Sequence, residues 1–190
     1  MQRLKETLAQ RQKHHLVDPR LTPSAVLIPL FLKDGEYHIL FIKRTERVKV
    51  HKGQISFPGG ACEKEDVTTC NTALRECTEE VGIPAKSVEV LGELDDFFTL
   101  GSGYIIHPFV GTIPWPLALK VDGHETESAI EVPISALLDK NNLREQIEVI
   151  NGEEIPNYFY HYKDNVIWGA TARILAQCLE IWGEVGGSKH

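Results

Sequence analysis

The stretch Phe57–Ile83 reads FPGGACEKEDVTTCNTALRECTEEVGI, and the reading of the whole chain depends on it. It opens with Pro58-Gly59-Gly60, which reads as a turn or loop where glycine lets backbone approach a ligand closely. From about Val67 the spacing predicts a helix, because Val67, Cys70, Ala73, Leu74, Cys77 and Val81 fall into one apolar stripe. The other face carries Arg75, Glu76, Glu79 and Glu80, so three carboxylates share one side. Gly82 stands where a helix normally stops.

Like charges at this spacing repel, and a divalent cation would turn that repulsion into attraction. Mg2+ prefers carboxylate oxygens and keeps coordination sites for water and phosphate oxygens. A Glu-x-x-Glu-Glu by itself is more often a solvated acidic face. Here the glycine pair before it, Arg75 beside the first glutamate and Gly82 after the last favour a metal site for phosphate chemistry.

The run Arg75-Glu76-Cys77-Thr78-Glu79-Glu80-Val81-Gly82-Ile83 resembles the second half of the Nudix box, GX5EX7REUXEEXGU, at every specified position. The first half departs from it. Five residues after Gly60 stands Asp66 in place of Glu, and eight residues rather than seven then lead to Arg75. Glu63 and Glu65 compete with Asp66 for that role. The resemblance implies an α/β fold, the Nudix-type α/β/α sandwich with a mixed β-sheet. It also implies metal-dependent hydrolysis of a diphosphate linked to a nucleoside, with Mg2+ or Mn2+ as cofactor.

The 190 residues, 42% hydrophobic and 25% charged, suit a single globular domain over 1–190, with 1–23 as an N-terminal helix and lead-in and 183–190 as a flexible tail. No apolar run approaches the ~20 residues that cross a bilayer, and the N-terminus lacks a secretory apolar core. Cys62, Cys70, Cys77 and Cys178 form no Cys-x-x-Cys pair and read as reduced thiols of a cytoplasmic protein. A net charge of -7 argues against nucleic-acid binding, and no membrane partner is expected. A homodimer is compatible with the sequence, which sets no oligomeric state.

The pattern outside the central stretch predicts a helix over 2–13, strands over 24–32 and 37–43 joined at Asp34-Gly35, and a short strand over 54–57. Strands follow over 88–94, 104–113 and 129–132, with a loop over 95–103 and a turn-rich segment over 115–127. A short helix over 133–140, a hairpin of 146–150 with 157–162 around Asn151-Gly152, a strand near 166–168 and a helix over 170–182 complete the chain. This irregular alternation with two hairpins implies a mixed sheet.

Lys43, Arg44, Arg47, Lys49 and Lys52 form a basic island interrupted only by Glu46. It reads either as an anion-binding loop or as an exposed edge protected by lysines. Ile39–Gly60, ILFIKRTERVKVHKGQISFPGG, looks like the extra motif of the coenzyme A pyrophosphatase branch, roughly LLTxRSxxxxxHxGQxxFPGG. Arg44, His51, Gly53, Gln54, Phe57, Pro58, Gly59 and Gly60 match it; Ile42 and Thr45 stand where Thr and Ser are usual. Gly103, His107-Pro108 and Ile167–Leu175 also look like that branch.

The resemblance implies coenzyme A or an acyl derivative as a nucleotide substrate, cleaved to 3′,5′-ADP and 4′-phosphopantetheine. ADP-ribose or another nucleotide is the neighbouring alternative, and a non-catalytic nucleotide-binding module the alternative from another class. The implied metal ligands are Glu76, Glu80, Glu79 and the Gly60 carbonyl. Arg75 orients the glutamates, while Lys43, Arg44 and Arg47 contact phosphate. Gly59 and His51 belong to the substrate loop, and Glu125, before Val132-Pro133, is the candidate general base. His14, His15 and His161 lack metal-like partners at useful spacing.

Overall fold

The computed structural model describes residues 1–45, 53–99, 102–121, 123–150 and 153–186. Helix α1 (Gln2–Gln10) leads to strands β1 (Thr22–Lys33) and β2 (Glu36–Arg44). Asp34 and Gly35 both take positive φ between them, as a tight hairpin turn requires. Short strands β3 (Ile55–Ser56) and β4 (Gly59–Ala61) precede helix α2 (Thr69–Val81). Strands β5 (Glu89–Glu93), β6 (Phe97–Phe98), β7 (Tyr104–Thr112) and β8 (Thr126–Pro133) follow. Helix α3 (Ile134–Leu138), strands β9 (Leu143–Ile150), β10 (Glu153–Tyr162) and β11 (Asn165–Ile167), and helix α4 (Gly169–Gly186) come last.

Strands β1 to β8 join in one sheet, ordered β3-β2-β1-β7-β5, with β4 on β1, β6 on β7 and β8 on β2. Strands β1 and β7 run parallel and the other pairs antiparallel, so the sheet is mixed as expected. Alternate residues explain why β1 and β2 are almost continuously apolar: both faces are covered. Ala25, Leu27, Leu40 and Ile42 pack with Ala73, Cys77 and Val81 of α2. Ile28, Leu30, Ile39 and Phe41 share the other core with Leu4 and Leu8 of α1 and Ile174, Leu175 and Cys178 of α4. Helices on both faces make the α/β/α sandwich. Phe57, fully buried and stacked on Phe41 at 4.9 Å between ring centres, anchors the chain just before β4.

Several expectations change. Gly59 and Gly60 are not a turn but strand residues, opposite Val26 and Ala25 of β1. Glycine has poor strand propensity, and only tertiary pairing decides this. Val67 is 90% exposed, because α2 begins two residues later behind its cap Thr68. The loop expected over 95–103 contains β6, and β8 starts at Thr126 rather than Ala129. The expected tail from Gly183 is helical as far as Gly186. The expected Asn151-Gly152 turn lies outside the described residues. All four cysteines are free, with Cys77 and Cys178 buried and Cys62 and Cys70 half-buried. Among the described residues no helix is long and apolar enough to cross a membrane.

Candidate active site

Strand β4 lies over α2, and the two glycines set how close they come. A Cβ at Gly59 would meet the Ala25 carbonyl oxygen at 2.4 Å, and one at Gly60 would meet Glu76 Oε1 at 2.4 Å. At Gly59 the obstacle is backbone and only glycine fits; at Gly60 it is the end of a side chain, which a larger residue would push out of place. Thr68 caps the helix by accepting from the Asn71 N–H, and Gly82 closes it in the left-handed region with φ 75°.

Arg75 is held on every side. It donates from Nε and Nη2 to Asp66 at 3.2 and 3.0 Å, and from Nη2 to the Ala61 carbonyl at 3.1 Å. Its Nη1 reaches Glu76 at 2.8 Å and Glu79 at 3.0 Å. Asp66 also accepts from Thr72 Oγ1 and the Glu63 N–H. Hydrogen bonds from Arg75 lead the causes that hold its carboxyl down at about 2. Glu63 stays 3.9 Å from Arg75, so Asp66 is the main partner of the three acids considered. The extra residue in the spacing falls between Asp66 and Arg75, and α2 still carries Arg75 to Val81 in one uninterrupted helix closed by Gly82.

The three glutamates separate. Glu80 is 5% exposed and its Oε2 accepts the Gly59 N–H at 2.9 Å. Burial pushes its carboxyl up to about 8 against the pull of that N–H, and Glu76 adds to the rise. Glu76 is half-buried and also raised, by burial first, with Arg75 opposing and Glu79 and Glu125 reinforcing. Glu79 is exposed and turned to Arg75. Sequence pattern alone could not tell Glu79 from Glu80, because both sit at the border of the polar face.

Arg44 enters from the end of β2. The register between β2 and β8 shifts between Lys43 and Arg44, an irregularity that re-aims the side chain beyond it. The Thr45 N–H donates to the Glu125 carbonyl and Thr45 Oγ1 to that of His124, which brings Glu125 alongside. Arg44 Nη1 then lies 3.8 Å from Glu80 Oε1, and Nη2 lies 3.3 Å from Glu125 Oε2. Lys43 pairs instead with Glu127 at 3.1 Å. Arg47 and His51 lie outside the described residues.

The remaining sequence candidates lie apart from these carboxylates. His107 bonds through Nδ1 to Asp96 at 2.7 Å, in a network with Lys13 that the sequence did not point to. Arg173, within the Ile167–Leu175 stretch, sets its guanidinium over the rings of Phe97 and Phe98.

The donor set suits a hard divalent cation. It offers two carboxylates raised first by burial, beneath a glycine pair that lets backbone come close. Among the described residues, no three His, Cys, Asp or Glu side chains are already gathered round one point. Arg75 and Arg44 lie against the carboxylates instead.

The NUDIX domain model matches residues 21–151. The chain belongs to the Nudix family. It is 37% identical over 154 residues to the uncharacterized Nudix hydrolase NudL of Photorhabdus laumondii, covering 81% of both chains. It is 34% identical to the NudL of Yersinia pestis strain Pestoides F, covering 80% of this chain and 75% of that one. Among solved structures, the MutT/nudix family protein of Enterococcus faecalis superposes with a TM-score of 0.57 at 13% identity, over 93% of this chain and 66% of that one. The C. elegans Ap4A hydrolase binary complex superposes with a TM-score of 0.52 at 14% identity, over 62% and 84%. These two likenesses speak for the Nudix fold alone. The family match and the curated relatives support Nudix hydrolase activity for the chain.

Proposed function

We propose that this Nudix hydrolase cleaves the diphosphate of coenzyme A or an acyl-coenzyme A, giving 3′,5′-ADP and 4′-phosphopantetheine or its acyl form. The observation that carries the reading is Arg44 beside Glu80 and Glu125. A cation from the stretch that resembles the coenzyme A branch thus stands at the carboxylate site.

Nudix hydrolases generally need divalent metal ions, and here Glu80, Glu76 and the Gly60 carbonyl would hold Mg2+ or Mn2+, with Glu79 at the rim. Such an ion neutralises phosphate charge and makes water a better nucleophile. The chain's own residues do the rest. Arg75 fixes Glu76 through Nη1, and Asp66 fixes Arg75. Arg44 and Lys43 offer donors to phosphate oxygens, with arginine giving the two-pronged grip. Glu125 takes the proton of the attacking water at its carboxylate.

A substrate series with Mg2+ or Mn2+ tests this. Coenzyme A should exceed its 3′-dephospho form in kcat/KM by roughly ten- to a hundredfold, the scale of one charged phosphate contact. Mass spectrometry should show 3′,5′-ADP and phosphopantetheine. Cleavage of ADP-ribose while coenzyme A stays intact would overturn the substrate and leave the Nudix hydrolase standing.

A further inference from the structure

The site contains two arginines held in opposite ways. Arg75 uses all three nitrogens in bonds of 2.8 to 3.2 Å to Asp66, Glu76, Glu79 and Ala61. Arg44 touches Glu80 at 3.8 Å and Glu125 at 3.3 Å, both long for a charged hydrogen bond. Its Nε is buried and has no hydrogen-bond partner among the described residues. Part of the guanidinium is therefore buried, and among the described residues nothing grips it tightly, an arrangement that costs free energy.

Glu80 is itself buried, and among the described residues Arg44 is the cation that favours its ionised form, against burial. A guanidinium and a divalent cation would compete for the same carboxylate.

We infer that Arg44 is a displaceable occupant of the metal site: it holds Glu80 and Glu125 in the metal-free protein, and a divalent cation drives it off them. This rests on the metal reading given above. Displacement frees Nη1 and Nη2 together, so loading the cation and presenting a two-pronged anion receptor become one event. Linkage then makes the effect reciprocal: an anion that captures Arg44 tightens metal binding. No covalent step is involved.

Mn2+ titrated into the substrate-free protein, with free Mn2+ read by electron paramagnetic resonance, tests the inference. Arg44→Met should bind Mn2+ roughly tenfold tighter than the wild type while losing kcat/KM, the scale of a typical coupling between sites. A merely structural arginine would not give tighter binding on removal. Lys43→Met removes a neighbouring charge that pairs with Glu127, and its Mn2+ affinity should move by less than about threefold. Should Arg44→Met not fold, Arg44→Gln gives the same reading. Unchanged or weaker Mn2+ binding in the Arg44 variant overturns the inference. An equal gain in Lys43→Met also overturns it, because general charge would then explain both. Glu80→Gln separates the two readings. If it binds Mn2+ as tightly as the wild type, the metal assignment fails and the inference with it. If it binds weakly, the metal site stands whatever Arg44 does.

Discussion

Gly59 donates its backbone N–H to Glu80 at 2.9 Å, so a strand, not a neighbouring side chain, positions the most buried carboxylate of the site. Its neighbour Gly60 stands against Glu76. Two adjacent glycines thus serve two glutamates one helical turn apart.

The two glycines should fail differently. A Cβ at Gly59 runs into backbone, the Ala25 oxygen at 2.4 Å and Val26 Cα at 2.7 Å. Gly59→Ala should destabilise by about 2–3 kcal/mol, as overpacking does. The atoms nearest a Cβ at Gly60 are those of the Glu76 carboxyl, the end of a side chain. Gly60→Ala should change stability by less than about 1 kcal/mol yet remove most activity, since Glu76 must leave its place. Urea midpoints and kcat measured on both variants decide it; matching losses of stability would contradict the contrast.

Glu80→Gln keeps an oxygen that can accept the Gly59 N–H and removes a buried carboxyl whose ionised form burial disfavours. Its thermal midpoint at neutral pH should match or exceed that of the wild type, because the unfolded chain prefers the ionised carboxylate that the folded site opposes, and the amide escapes that cost. Its kcat should fall on the order of a hundredfold or more. Near-normal turnover at saturating Mg2+ would remove Glu80 from the chemistry.

Asp66 gives the fold an acid-sensitive element. Its folded pKa of about 2 lies below the ordinary 3.8, so the contribution of its ionised form is full above 3.8 and is lost as pH falls to about 2. Asp66→Asn should be less stable than the wild type at neutral pH and should lose less on crossing that window. Parallel acid-denaturation curves for the two proteins would show that the pair contributes nothing.

Asp96 ties the chain before β1 to the sheet. Its side chain is 1% exposed and meets Lys13 at 2.8 Å, His107 at 2.7 Å and the Leu16 N–H at 3.0 Å. Burial alone would raise its pKa, but the bonds from Lys13, Leu16 and His107 outweigh it and leave the carboxyl below its ordinary value. Asp96→Ala leaves Lys13 buried with one partner fewer and should cost about 3 kcal/mol. Amide exchange over residues 11–17 should quicken more than over α2; equal effects would place the loss elsewhere.

Much of this was legible in the residues. The apolar runs of β1 and β2, the Asp34-Gly35 turn and the Gly82 stop are local signals, and they hold. What escaped was decided between segments. Gly59 and Gly60 read as a turn because nothing local says that β1 will pair with them. Glu80 read as one of three carboxylates on a shared helix face, and its burial was not legible because the Gly59 amide that meets it lies 21 positions away. Arg44 and Glu125 lie 81 positions apart and meet only because β2 and β8 are partners. Asp96 gave no motif at all, since its partners come from two distant stretches, Lys13 with Leu16 and His107.

The register of β4 on β1 also decides where this chain can tolerate a change of length. Residues 62–66 form an exposed or half-exposed connection between β4 and the cap of α2, and the one residue by which this chain exceeds the family spacing, between Asp66 and Arg75, leaves the helix intact. A further residue inserted at 64 or 65 should be absorbed in the same way, at a small loop-closure cost. A residue inserted between Phe57 and Gly59 would slip β4 by one against β1, turning each pleat to the opposite face. Both glycines would then leave both glutamates at once. Variation in length should therefore be confined to the C-terminal side of Ala61, while the three residues Pro58, Gly59 and Gly60 keep a fixed distance from Phe57.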